Sequence, residues 1–150
     1  MAISQHGHRL LDLVLLLNRC SLGLYFLLAG ISKIRSGVGI FYRGSFTSLK
    51  PVWLPDWFAL PYGHTLPFIE LALGVALVLG VYGRAAAALT ALALASFTVA
   101  LYEAGAFFPK SGGPFHNNVI FVTLALLLAV IGPGSLSVDA FWRRGSASGR

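Results

Sequence analysis

The stretch Leu11 to Lys33, LDLVLLLNRCSLGLYFLLAGISK, constrains this chain more than any other. It is apolar enough to sit in lipid, yet it carries Arg19 in its interior. A charge at that depth is costly, so it belongs against a bundle interior or a water-filled cavity. On a helix, Arg19, Gly23, Phe26, Gly30 and Lys33 recur at steps of three or four and share one face. That face is small and polar, and the opposite one is Leu, Val and Tyr. The pattern predicts a membrane helix that packs through its glycine face.

Composition agrees. Of 150 residues, 57% are hydrophobic and only 11% are charged, where a soluble domain averages about a quarter charged. The net charge of +6 reads as basic loops against anionic lipid headgroups rather than a nucleic-acid surface, for no RNA- or DNA-binding motif is present. A single cysteine, Cys20, excludes an internal disulfide and a CxxC pair; it reads as a small buried residue. The first apolar run is too long for a signal peptide, and no A-x-A site follows it, so it is expected to be a retained span.

The expected fold is all-α: an antiparallel four-helix membrane bundle in one domain, with spans at about 11–32, 66–81, 85–107 and 117–131. The first span is roughly 33 Å long at 1.5 Å per residue, enough to cross a ~30 Å hydrocarbon core. Before it, His6 and His8 sit in a short polar tail and read as solvated. Between the first two spans lies a long Trp/Pro-rich connection, in which Pro51, Pro55, Pro61 and Pro67 are expected to deny a continuous helix. Its Trp53, Trp57, Phe58 and Tyr62 suit a membrane–water interface, as an anchored loop or as a lid over one mouth of the bundle. Ala88, Ala91, Ala95 and Ser96 are expected to allow close approach on the third helix. PKSGGP (109–114) forms a loop, Gly132-Pro133-Gly134 stops the fourth helix, and Ser137 to Arg144 fits a short surface helix with Arg143 and Arg144 at headgroup level. The last residues, GSASGR, are expected to be disordered. Lys and Arg outside the spans balance between the two sides, so charge alone does not orient the chain.

Threading the helices antiparallel brings Glu70, Glu103, His116, Asn117, Asn118 and Lys33 to within about 8 Å of one membrane face. Arg19 stands roughly 20 Å from that mouth, with Asn18, Ser96 and Asp12 as its nearest polar candidates. Two carboxylates and a histidine are plausible metal ligands, but no E-x-x-H or H-x-x-x-H spacing supports a metal site. No histidine lies deep in a span, which disfavours haem, and no flavin fingerprint is present. A quinone fits the pattern better. Glu70, Glu103 and His116 are candidates for proton exchange, with Arg19, Lys33, Asn117 and Trp57 as candidate cofactor contacts. A purely structural hydrogen-bond network among these groups remains an equal reading.

Three motifs carry a family resemblance. Arg19-x-x-x-Gly23-Leu24-x-Phe26-x-x-x-Gly30-x-x-Lys33 resembles the first-helix signature of the DoxX family. Leu66-Pro67-x-x-Glu70-x-x-x-Gly74-x-x-Leu77-x-x-Gly80-x-x-x-Arg84 resembles its second-helix motif. His116-Asn117-Asn118 and Gly132-Pro133-Gly134-x-x-Ser137-x-Asp139 resemble its C-terminal pattern. The resemblance implies a small inner-membrane protein of bacteria or archaea with cytoplasmic termini, linked to oxidoreductase systems that include a thiosulfate:quinone oxidoreductase. It carries over to Arg19, Lys33, Glu70 and Arg84, while the lack of a cysteine pair departs from relatives thought to handle disulfides. Two functions stay open: a redox subunit that binds quinone and works with a metal- or flavin-bearing partner, or a non-catalytic subunit that anchors a larger complex. A carrier is disfavoured, since no inverted repeat or broken helix is evident.

Overall fold

The computed structural model describes residues 5–106, 108 and 116–147. The side chains of His6 and His8, the expected helix end at Phe107, the PKSGGP loop and the last three residues of the tail lie outside them, while residues 145–147 continue the last helix instead of the disorder expected of them. All regular structure among the described residues is helical: α1 (Gln5–Arg35), α2 (Val38–Phe41), a π-helical turn (Tyr42–Phe46), α3 (Thr47–Leu49), α4 (Asp56–Leu79), α5 (Gly83–Glu103), α6 (Asn118–Ile131) and α7 (Val138–Ala147). Three of these, α1, α4 and α5, are long and apolar enough to cross a membrane. The expected fourth span, α6, has 14 residues, about 21 Å, which is short of a ~30 Å core.

The two tightest pairs are α1 with α4 and α5 with α6, and lesser contacts of α4 with α5 and α1 with α6 close the ring. Phe26, Leu77, Leu94 and Leu128, one from each of these helices, are fully buried at its centre. The glycine face of α1 packs as its spacing predicts: Arg19, Gly23, Phe26 and Gly30 are all buried. A Cβ on Gly30 would lie 2.7 Å from Pro67 O, and one on Gly74 would lie 2.6 Å from Leu27 N and 2.8 Å from Gly23 O. The backbones of α1 and α4 are therefore in direct contact, a separation that only glycine allows. On α5 the packed stripe is Ala87, Thr90, Ala91 and Leu94. Ala91 packs as expected, Ala88 and Ala95 are exposed, and the Ser96 hydroxyl lies 2.9 Å from that of Tyr62 on α4.

The Trp/Pro-rich connection is not the long loop its prolines suggest. Helix α4 starts ten residues early, at Asp56, and runs through both Pro61 and Pro67. Pro55 is extended just before it, and Asp56 in its first turn favours the positive end of the helix dipole. Beyond Pro61, side chains tie the helix to itself: Thr65 Oγ1 donates to Pro61 O at 2.8 Å, and His64 Nδ1 pairs with Leu60 O at 2.8 Å. Neither bond replaces those that proline loses, for the missing N–H groups of Pro61 and Pro67 would have paired with Trp57 O and Gly63 O; packing against α1 and the cap holds the helix through both prolines. Trp57 therefore sits in the first turn of α4, 78% exposed. The rest of the connection folds as the short α2–π–α3 cap, with Tyr42 stacked on Phe46 at 5.4 Å and packed over Gly63 of α4.

Candidate functional site

Two matched spacings make the site. On α1, Lys33 follows Gly30 by three residues; on α4, Glu70 follows Pro67 by three. The two helices run antiparallel, with Gly23 against Gly74 and Gly30 against Pro67 and Leu71, so Glu70 stands level with Gly30. Its side chain leans toward the start of α4 and meets Lys33 one turn further along α1, where Lys33 Nζ makes an ion pair with Glu70 Oε1. The carboxylate is 2% exposed and the lysine 25%. The ammonium also lies 5.0 Å from the Phe41 ring centroid and 5.7 Å from that of Phe97, so aromatic faces and one carboxylate hold it together. Glu70 Oε2 is buried and accepts no hydrogen bond among the described residues.

This pair lines a cavity of about 840 Å³. The cap wraps over it through Ile40, Phe41 and Phe46, and α4 and α5 add Phe58, Tyr62 and Phe97. Its wall is apolar and aromatic with a few polar groups converging on it, the usual make-up of a small-molecule site. His116 and the buried Asn118 also line it. The His116 Nδ1 accepts the Asn118 N–H at 3.2 Å, which fixes the ring and leaves Nε2 free of that bond.

The structure thus brings Lys33, Glu70 and His116 to one cavity, with Asn118 from the same expected polar mouth and Trp53 from the aromatic connection beside them. It does not bring Glu103, Asn117 or Trp57, none of which lines the cavity. Glu103 ends α5 and is exposed, as is Asn117. Depth alone had grouped them with Lys33; their direction around the helix separates them. Among the described residues no three His, Cys, Asp or Glu side chains gather as a metal site.

Arg19 belongs to the other end of the molecule. Its guanidinium is 2% exposed and donates to Pro133 O at 3.0 Å and to Leu136 O at 2.8 Å. It packs against Gly80, the left-handed residue that caps α4, where any side chain would collide with it. A helix C-terminus and two carbonyls are a fitting seat for a cation. Around it, Asp12 accepts the Ser135 N–H at 2.8 Å and the Ser135 hydroxyl at 2.5 Å. Asp139 accepts the N–H groups of Tyr82 (2.8 Å) and Gly83 (2.7 Å), capping α5 and holding Tyr82 at a φ of 46°. Arg84 donates to Ala129 O at 3.1 Å and to Val130 O, the open carbonyls that end α6. The Gly-Pro-Gly-x-x-Ser-x-Asp run is therefore a clasp that ties four helix ends together. The expected partners of Arg19, other side chains, are replaced by backbone carbonyls, which leave no trace in a residue pattern.

A family model described as methylamine utilisation protein MauE matches residues 11–133. No match to a curated protein or to a solved structure is found. The match overturns the DoxX resemblance, since MauE is a different membrane family. With that resemblance goes the support it gave for cytoplasmic termini, and the charges outside the spans remain balanced. The motifs behind it are those that build the helix contact and the clasp, so they report on architecture more than on one family's chemistry.

Proposed function

The chain belongs to the MauE family, and from that premise we propose that it is a membrane subunit of a redox system whose Lys33–Glu70 cavity binds a quinone. The family's description concerns methylamine utilisation. The carbon of methylamine is at the oxidation level of methanol, so its oxidation to the aldehyde level releases two electrons that a membrane acceptor can take. The observation that carries the reading is the buried Lys33–Glu70 pair on the wall of a large aromatic cavity. A quinone accepts two electrons and two protons, and it needs hydrogen-bond donors at its carbonyl oxygens and an apolar passage for its tail. Lys33 supplies a donor held in place by Glu70, Phe41 and Phe97. His116 Nε2 supplies a second polar contact and a group able to exchange a proton. The electrons come from a partner subunit bearing a redox centre.

A second reading makes the chain an anchoring subunit, and one observation favours it. Lys33 and Glu70 bridge the same two helices that Gly23, Gly30 and Gly74 bring together, so the pair also serves as a lock. Glu70→Gln separates the two. It keeps the volume and removes the charge that holds Lys33. The expected outcome is at least a fivefold loss of quinone retained through purification in mild detergent, measured by mass spectrometry, with the folded protein recovered. Stability should fall by only about 1–2 kcal/mol, less than for a fully buried pair, because the partly exposed Lys33 can turn toward water. Wild-type protein without quinone, or quinone retained equally by the variant, would leave the anchoring reading.

A further inference from the structure

The clasp end of the molecule carries a second, smaller pocket that the redox reading does not use. It measures about 390 Å³ and lies between the start of α5, the Gly132–Ser135 turn and α7. Three of its lining residues are arginines, Arg84, Arg143 and Arg144, and none is acidic. The two nearby carboxylates are already committed: Asp12 to Ser135, and Asp139 to the backbone of Tyr82 and Gly83. Arg84 is fixed by its bonds to Ala129 O and Val130 O. Arg143 and Arg144 are exposed and make no hydrogen bond or ion pair among the described residues. Three guanidinium groups around one pocket repel one another unless an anion joins them, and planar guanidinium groups match phosphate oxygens well.

The surroundings identify the source of the anion. The pocket sits where three helices of membrane-spanning length end. Beside the arginines on α7, Phe141 is 75% and Trp142 is 53% exposed, the apolar and aromatic anchors of a helix lying in the lipid interface. We infer that Arg84, Arg143 and Arg144 form a binding site for the phosphate of an anionic phospholipid headgroup, with Phe141 and Trp142 seated in the adjoining lipid. Arg84 lies within the residues that the family model matches, whereas Arg143 and Arg144 lie beyond them.

The test is native mass spectrometry of the full chain in detergent, titrated with phosphatidylglycerol, with phosphatidylcholine and with inorganic phosphate. Phosphatidylglycerol should bind at least tenfold more tightly than phosphatidylcholine, and millimolar inorganic phosphate should not displace it. R143Q/R144Q should weaken phosphatidylglycerol binding roughly thirtyfold, the loss of two arginine contacts, with the lipid-free melting temperature unchanged because both side chains are exposed. R35Q/R43Q, at the opposite end of the helices, should leave the affinity as it is. Equal losses in the two double variants would reduce the effect to general charge and overturn the site, as would full binding by R143Q/R144Q. Displacement by inorganic phosphate would overturn the lipid as its source.

Discussion

Arg19→Ala is expected to lower the melting temperature of the detergent-solubilised protein by on the order of 10 °C, a loss of ~3 kcal/mol. The substitution leaves Pro133 O and Leu136 O without the donors they now have and opens a cavity at the meeting point of four helix ends. Hydrogen bonds from charged groups contribute about 1.5–3 kcal/mol each, with smaller values measured in membrane proteins; two of them at one buried site give the estimate. Arg19→Lys should recover only part of the loss, because one ammonium cannot span both carbonyls as the guanidinium fork does. Circular dichroism melts of the three proteins check this. A melting temperature within 2 °C of wild type for Arg19→Ala would remove Arg19 from the clasp.

Gly74→Leu should be more damaging still. The obstacle is backbone on both sides, Leu27 N at 2.6 Å and Gly23 O at 2.8 Å from the added Cβ, and backbone cannot rotate away as a side chain can. Overpacking ordinarily costs about 1–3 kcal/mol; here α1 and α4 must separate along their contact, and the Lys33–Glu70 pair separates with them. The expected result is loss of the monodisperse peak on size exclusion, or a melting temperature lower by more than about 10 °C. Val75→Leu, at the neighbouring exposed position, should behave as wild type. A stable, monodisperse Gly74→Leu protein would contradict the helix contact on which the cavity depends.

How much of this was legible depended on which atoms make each contact. The glycine face of α1 could be read because small side chains at steps of three and four leave a periodic mark, and the same spacing put Lys33 beside its partner. Helix α4 could not be read back to Asp56, for Pro61 and Pro67 are strong local signals that packing against α1 and the cap overrules. Glu103 was grouped with Glu70 by depth, but depth along a helix says nothing of angle around it. The clasp was the least visible: Arg19, Asp139 and Arg84 bind backbone groups, so no complementary side chain announces them, and Asp12 alone adds a side-chain partner, the Ser135 hydroxyl. Its motif resembles a DoxX pattern, whereas the family model that matches is MauE; residues that serve to tie helix ends say little about which reaction a chain supports.

The most direct test of the quinone cavity is photolabelling of the purified chain with an azidoquinone, followed by peptide mapping. The account predicts label on the cavity wall, in the α2–α3 cap, near Lys33 on α1 or at Phe97 on α5, and its suppression by unmodified quinone. Label spread over the lipid-facing helix surfaces and indifferent to competing quinone would contradict it.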